Sequence, residues 1–231
     1  MSALVQQIPV LLRGETEPAA AWTERWETPR VLLYLVVIVA GSALYGAAMG
    51  WWRAPMQAAY TAAKFPLVLL LTTLGNALLN GMLAPLLGLN ISFRQSLLAV
   101  LMSFTIAAAI LGAFSPLLFF LVWNTPPLEL RAQAVASHSL ILVTETVIIA
   151  FAGVAANLRL HQLLRRLAGS ETVARRVRFA WRAGNLFLGS QLAWVLRPFV
   201  GSPGLPVEFL RPDALHGSFF EALFRAMRHL L

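Results

Sequence analysis

Separate apolar runs of spanning length, few charges within them and tryptophans gathered near their ends predict an all-α integral membrane protein. The expected architecture is a bundle of five transmembrane helices with amphipathic interfacial helices at the N- and C-termini. Of the 231 residues, 58% are hydrophobic and only 12% are charged, and the mean hydropathy is +0.71. A soluble domain of this size needs more charge to solvate its surface. The pattern divides into an N-terminal interfacial segment (1–30), a five-helix transmembrane domain (31–200), and a Pro/Gly-rich hinge with a C-terminal amphipathic helix (201–231).

Composition also narrows the chemistry. The chain has no cysteine, so disulfides and thiol catalysis are excluded. Its four histidines, His138, His161, His216 and His229, are scattered without metal-ligand spacing, so neither a metal nor another cofactor is expected. The net charge is +8, but the basic residues flank apolar runs, which fits anionic lipid headgroups better than nucleic acid.

The N-terminal stretch MSALVQQIPVLLRG lacks the positive start and cleavage pattern of a signal peptide. Leu4, Val5, Ile8, Leu11 and Leu12 can share one face of a short interfacial helix. The first span is expected from Val31 to Trp52. Its Ser42, Gly46 and Gly50 recur every fourth residue, a spacing that lets a second helix backbone approach closely. Met56 to Lys64 reads as a short surface helix, followed by a second span from Phe65 to Leu87. Asn76 and Asn80 lie one turn apart on that span, and their amides need partners inside the bundle.

The third span, Gln95 to Trp123, carries a proline at 116 where a bend is expected, and Asn124-Thr125-Pro126-Pro127 ends it. The fourth, Ser137 to Leu158, contains Glu145. The fifth, Arg178 to Phe199, contains Arg182, Asn185 and Gln191 and is the least apolar. All seven tryptophans are placed near segment ends, as an interfacial belt.

With five spans the termini face opposite sides. The tail, the turn at Arg94 and the loop from Arg159 to Arg176 hold nine basic residues, against seven on the other side. The positive-inside rule then places the N-terminus in the cytoplasm and the C-terminus outside, in a bacterial inner membrane.

Glu145 is the candidate functional residue, because an ionisable group within a span is costly and rare. At ~1.5 Å per residue, Thr72, Ser115, Glu145 and Gln191 all fall about 10–12 Å below the outer face, as one polar layer. Arg197 stands nearer the surface, within reach of Glu145. This layer reads either as a proton- or cation-handling site or as a set of contacts holding helices in register. The basic loop, with Arg165, Arg166, Arg175 and Arg176, is expected to contact anionic lipid or an acidic partner. The C-terminal helix from Ser218 puts Phe219, Phe220 and Phe224 on one face for lipid or partner contact, with Ser218 and Glu221 spaced as a capping box. No catalytic motif is visible: there is no GxSxG, no HExxH and no phosphate-binding glycine loop.

The segment QLAWVLRPFVGSP followed by FLRPDALHGSFFEA resembles the C-terminal signature of a broad group of small bacterial polytopic membrane proteins. KFPLVLLLTTLGNALLNGMLAPLLGL and FRQSLLAVLMSF are similar to the same group. The five-span plan, with Tyr45-Gly46 and Gly50, is also similar to Yip1-type proteins, which shape membranes and recruit partners. The resemblance brings no enzymatic activity with it. The small-residue packing faces and amphipathic C-terminal arm point to a non-catalytic subunit or scaffold of a larger membrane assembly, oligomeric with itself or with other subunits. The alternative is a small transporter or ion channel built on the Glu145 layer.

Overall fold

The computed structural model describes residues 2–126, 131–201 and 204–221. Every regular element among them is an α-helix: α1 (Ser2–Val5), α2 (Gln7–Arg13), α3 (Thr16–Glu24), α4 (Thr28–Trp51), α5 (Pro55–Leu86), α6 (Phe93–Trp123), α7 (Arg131–Ala168) and α8 (Glu171–Val195). Four are long and apolar enough to cross a membrane: α4, α5, α6 and the Ala136–Ala168 portion of α7. The chain is therefore a membrane protein by its helices. The expected fifth span is present as a helix, α8, but Arg175, Arg176, Arg178, Arg182, Asn185 and Gln191 leave it short of that apolarity.

Close approach of small residues sets the packing. A Cβ on Gly46 would stand 2.5 Å from the Thr61 carbonyl oxygen, and one on Gly50 would stand 2.5 Å from that of Gln57. The Ser42/Gly46/Gly50 face is thus used within the chain, with Gly46 and Gly50 carrying α4 against an antiparallel α5. Ser42 is buried and its hydroxyl donates to the Ile38 carbonyl. A second close approach joins α4 to α6, where Gly41 packs on Ala108 and Gly112.

Helix α8 runs antiparallel along the C-terminal half of α5 and the turn after it. Val173 approaches Gly88, Gly184 approaches Asn76, Leu188 approaches Gly75, and Gly189 approaches Thr72. The apolar side of its first half, Ala174, Val177 and Trp181, is buried. Trp181 is 1% exposed within the core cluster, and Trp52 is also buried, with its indole N–H donating to the Pro126 carbonyl. Those two tryptophans therefore leave the expected belt, because each lies on the inward face of its helix. Trp51 and Trp123 keep substantial exposure.

The segment expected as a surface helix, Met56 to Lys64, is instead the start of α5. Gln57, Ala58, Thr61 and Lys64 are all buried there. The spacing of 57, 61 and 64 gives one inward face, and that face meets backbone carbonyls of the C-terminal segment. Helix α6 continues through Pro116, and Ser92 and Gln95 form a capping box at its start.

The short N-terminal helices fold onto the bundle. Leu11, Ala19 and Ala20 belong to the same core cluster as Ala99, Met102, Ile106 and Leu160, so this segment packs on α6 and α7. Arg30 is the tether. Its guanidinium donates to the Glu27 carboxylate at 2.8 Å, to Gln7 at 3.2 Å and to the Trp22 carbonyl at 3.3 Å, and it lies over the Trp22 ring. Arg166 adds an ion pair to Glu17 at 2.8 Å. Replacing Arg30 by alanine is expected to free residues 2–25, since it leaves the buried Trp22 carbonyl unpaired at a cost of about 1–3 kcal/mol. Faster hydrogen exchange confined to those residues is the check; unchanged exchange would show that apolar packing alone holds them.

At the opposite end from the α4–α5 turn, α7 and α8 meet at Gly169, whose φ of +59° suits the reversal. Arg165 pairs with Glu171 at 2.6 Å, whereas Arg175 and Arg176 are exposed. The C-terminal helix begins at Phe219. Its Ser218 hydroxyl accepts the Glu221 N–H at 3.1 Å, and Phe220 stacks on Phe187 at 5.7 Å. Phe224 lies outside the described residues.

Candidate functional site

The site forms where the chain leaves α8. Residues 197–201 and 204–211 cross the end of the bundle as a strap, and α5 holds the strap by its backbone. The Gln57 amide donates to the carbonyls of Pro198 (3.1 Å) and Phe199 (2.7 Å). The Thr61 hydroxyl lies 2.7 Å from the Phe199 carbonyl, and the Lys64 ammonium donates to Pro198 at 2.9 Å. Arg53, on the α4–α5 turn, donates to the Leu205 carbonyl at 2.9 Å. A strap rich in proline has few N–H groups of its own, and its carbonyls need donors when buried. The polar face of α5 supplies them.

The chain just past the strap is clamped by Arg197 and by the end of α8. Arg197 pairs with Asp213 at 2.9 Å, donates to the Trp194 carbonyl at 2.7 Å, and stacks 3.8 Å over the Trp194 ring. Trp194 donates to the His216 carbonyl, and the Gln191 side chain accepts the Phe219 N–H at 3.0 Å. Lys64 is fully buried beneath the strap, over the rings of Phe209 (5.0 Å) and Tyr60 (6.0 Å). Among the described residues, no acid pairs with it.

Between the strap, α5, α7 and α8 lies a cavity of about 510 Å³. Met49, Phe65, Val68, Leu142 and Ile149 make apolar walls, and His138, Glu145, Arg197 and Arg211 bring the ionisable groups. Phe65 and Phe199 meet edge to face at 6.1 Å. Glu145 is 2% exposed. Both its carboxylate oxygens are closed off from solvent and have no hydrogen-bond partner, while the Tyr45 hydroxyl reaches its backbone carbonyl at 3.4 Å.

The expected polar layer does not form a hydrogen-bonded set among the described residues. Ser115 donates to Leu111 of its own helix at 3.2 Å, the buried Thr72 hydroxyl has no partner, and Gln191 is engaged with Phe219. Arg197 shares the cavity with Glu145 but pairs with Asp213, an acid on the strap's own continuation. Asn76 donates to the Thr72 carbonyl at 2.9 Å, and its own oxygen has no partner; neither has the buried nitrogen of Asn80. The residues that sequence reasoning missed are Gln57, Thr61, Lys64, His138 and Arg211. Polar side chains at i, i+4 and i+7, directly continuous with an apolar run, were the available signal for the first three.

Compared with known proteins, the chain matches no family model, no curated protein and no solved structure.

Proposed function

We propose that the chain is a non-catalytic integral membrane subunit or scaffold, with the strap and the helix after it serving as an assembly arm. The observation that carries this reading is the fixing of the strap: Gln57, Thr61 and Lys64 bind its carbonyls directly, so the arm leaves the bundle at a set position. The closed-off carboxylate of Glu145 supports a structural place for that residue. The run of α8 along the C-terminal half of α5 supports five crossings, because a helix packed against a membrane span shares its depth. With five crossings, the positive-inside rule favours a cytoplasmic N-terminus and an external C-terminus in a bacterial inner membrane, with lipid at the basic end.

Mass measurement of the protein extracted into lipid nanodiscs tests the scaffold. A homo-oligomer or a co-purifying membrane partner, lost when the chain is cut after Leu215, is the expected result; a solitary monomer would overturn it.

The cavity itself favours a second reading, a small carrier or channel using Glu145. In proteoliposomes under an imposed proton or potassium gradient, the scaffold reading expects equal leak from wild type and Glu145→Gln. A gradient that collapses in wild type and persists in Glu145→Gln, with unfolding temperature unchanged, would establish the carrier instead.

A further inference from the structure

Arg211 lines the strap side of the cavity, and its charge acts on a second cation, the buried Lys64. Lys64 is fully buried and has only a carbonyl and two aromatic rings for company. Arg211 lies near enough to Lys64 for their like charges to interact. Its side chain is 12% exposed, and one N–H group reaches Glu208 at 3.5 Å, the long end of the hydrogen-bond range. Among the described residues, its remaining N–H groups have no protein partner. Like charges gathered away from water repel strongly, and an anion bound at Arg211 relieves that repulsion.

The rest of the cavity describes the other end of such a ligand. Its volume of about 510 Å³ falls within the range of small-molecule sites, roughly 300–1,000 Å³. Apart from the few groups named, its walls are aliphatic and aromatic. Leu142 (41% exposed) and Ile149 (37% exposed) line it from α7, so it opens on an apolar helix face rather than on polar loops. Glu145, the one acid in the lining, keeps both oxygens closed off, and Arg197 is already paired with Asp213 and donates to Trp194. An incoming head group therefore meets Arg211 as the free polar contact, and a guanidinium with open N–H groups suits a carboxylate or a phosphate.

We propose that this cavity is a binding site for an anionic amphiphile, a carboxylate or phosphate head on an apolar tail. The head lies at Arg211 and the tail runs along Phe65, Leu142 and Ile149. This holds for a scaffold and for a carrier alike, since it concerns what fills the cavity and not what the filled protein does.

Three probes with one tail and different head groups test it: oleate, oleyl alcohol and oleylamine, each added to the full-length protein in neutral detergent and counted by native mass spectrometry. Oleate is expected to be retained about tenfold more than the alcohol, the size of one charge-assisted contact. Arg211→Gln brings oleate down to the level of the alcohol with an unchanged unfolding temperature. Ala193→Trp, which fills the cavity from α8 and leaves the head-group residues alone, lowers retention of all three. Preference for oleylamine, equal retention of the three, or oleate binding indifferent to Arg211→Gln would each overturn the proposal. Nanodiscs holding equal phosphatidylglycerol and phosphatidylcholine separate the sources. Enrichment of phosphatidylglycerol identifies a membrane phospholipid, retention of oleate alone identifies a free fatty acid, and equal capture of both phospholipids overturns the proposal.

Discussion

Gly46→Leu is expected to lower the stability of the bundle by ~3 kcal/mol, the upper part of the range for overpacking a close-packed contact. At this position even a first side-chain carbon would press 2.5 Å from the Thr61 carbonyl oxygen and 3.1 Å from the Phe65 Cβ. Backbone cannot move aside as a flexible side chain can, so α4 and α5 must separate. Their separation also disturbs Thr61, which holds the strap. Gly153→Leu is the matched control, because nothing stands within 4 Å of a Cβ added there. It is expected to change stability by no more than about 0.5 kcal/mol. Unfolding of both variants in a mixed-micelle denaturant series makes the comparison; equal losses would show that the α4–α5 approach is not what limits stability.

The second large effect concerns the strap. In Gln57→Leu/Thr61→Val the carbonyls of Pro198 and Phe199 lose three of their four side-chain hydrogen bonds, leaving the one from Lys64. An unsatisfied buried carbonyl costs about 1–3 kcal/mol, so the strap is expected to detach while the bundle stays folded. The chain has no cysteine, so one introduced in place of Leu205 is a unique site for a spin label. Mobile spectra in the double variant and immobile spectra in the parent background are the expected pair. An immobile label in both would mean that Arg53, Arg197 and the Phe209 contacts hold the strap without help from α5.

The helical class and much of the packing chemistry could be read directly because they depend on local pattern. Apolar runs of spanning length announce α4, α5, α6 and α7, and the four-residue spacing of Ser42, Gly46 and Gly50 announces a close helix contact. Gly41 was not singled out, although it packs against Ala108 and Gly112: a glycine among alanines on α4 carries no label for the neighbour it will meet. Asn76 and Asn80 are buried in the bundle, as amides in an apolar run must be. Trp181 shows the converse case. Tryptophan near the start of a span reads as interfacial, yet here it completes the inward face begun by Ala174 and Val177.

The sequence by itself determined that this is a multi-helix membrane protein with an acid at Glu145 within a span and a proline-rich exit after α8, because hydropathy and backbone-breaking residues act over a few neighbours. Only the tertiary structure decided what those features touch. Gln57, Thr61 and Lys64 are separated from Pro198 and Phe199 by more than 130 positions in the chain, and no short-range pattern links donors on one helix to carbonyls so far away. It likewise decided that Arg197 turns to Asp213, that the Glu145 carboxylate is closed off, and that Arg211 lines an apolar cavity. Those outcomes follow from which faces pack together, a property of the whole bundle and not of any one stretch.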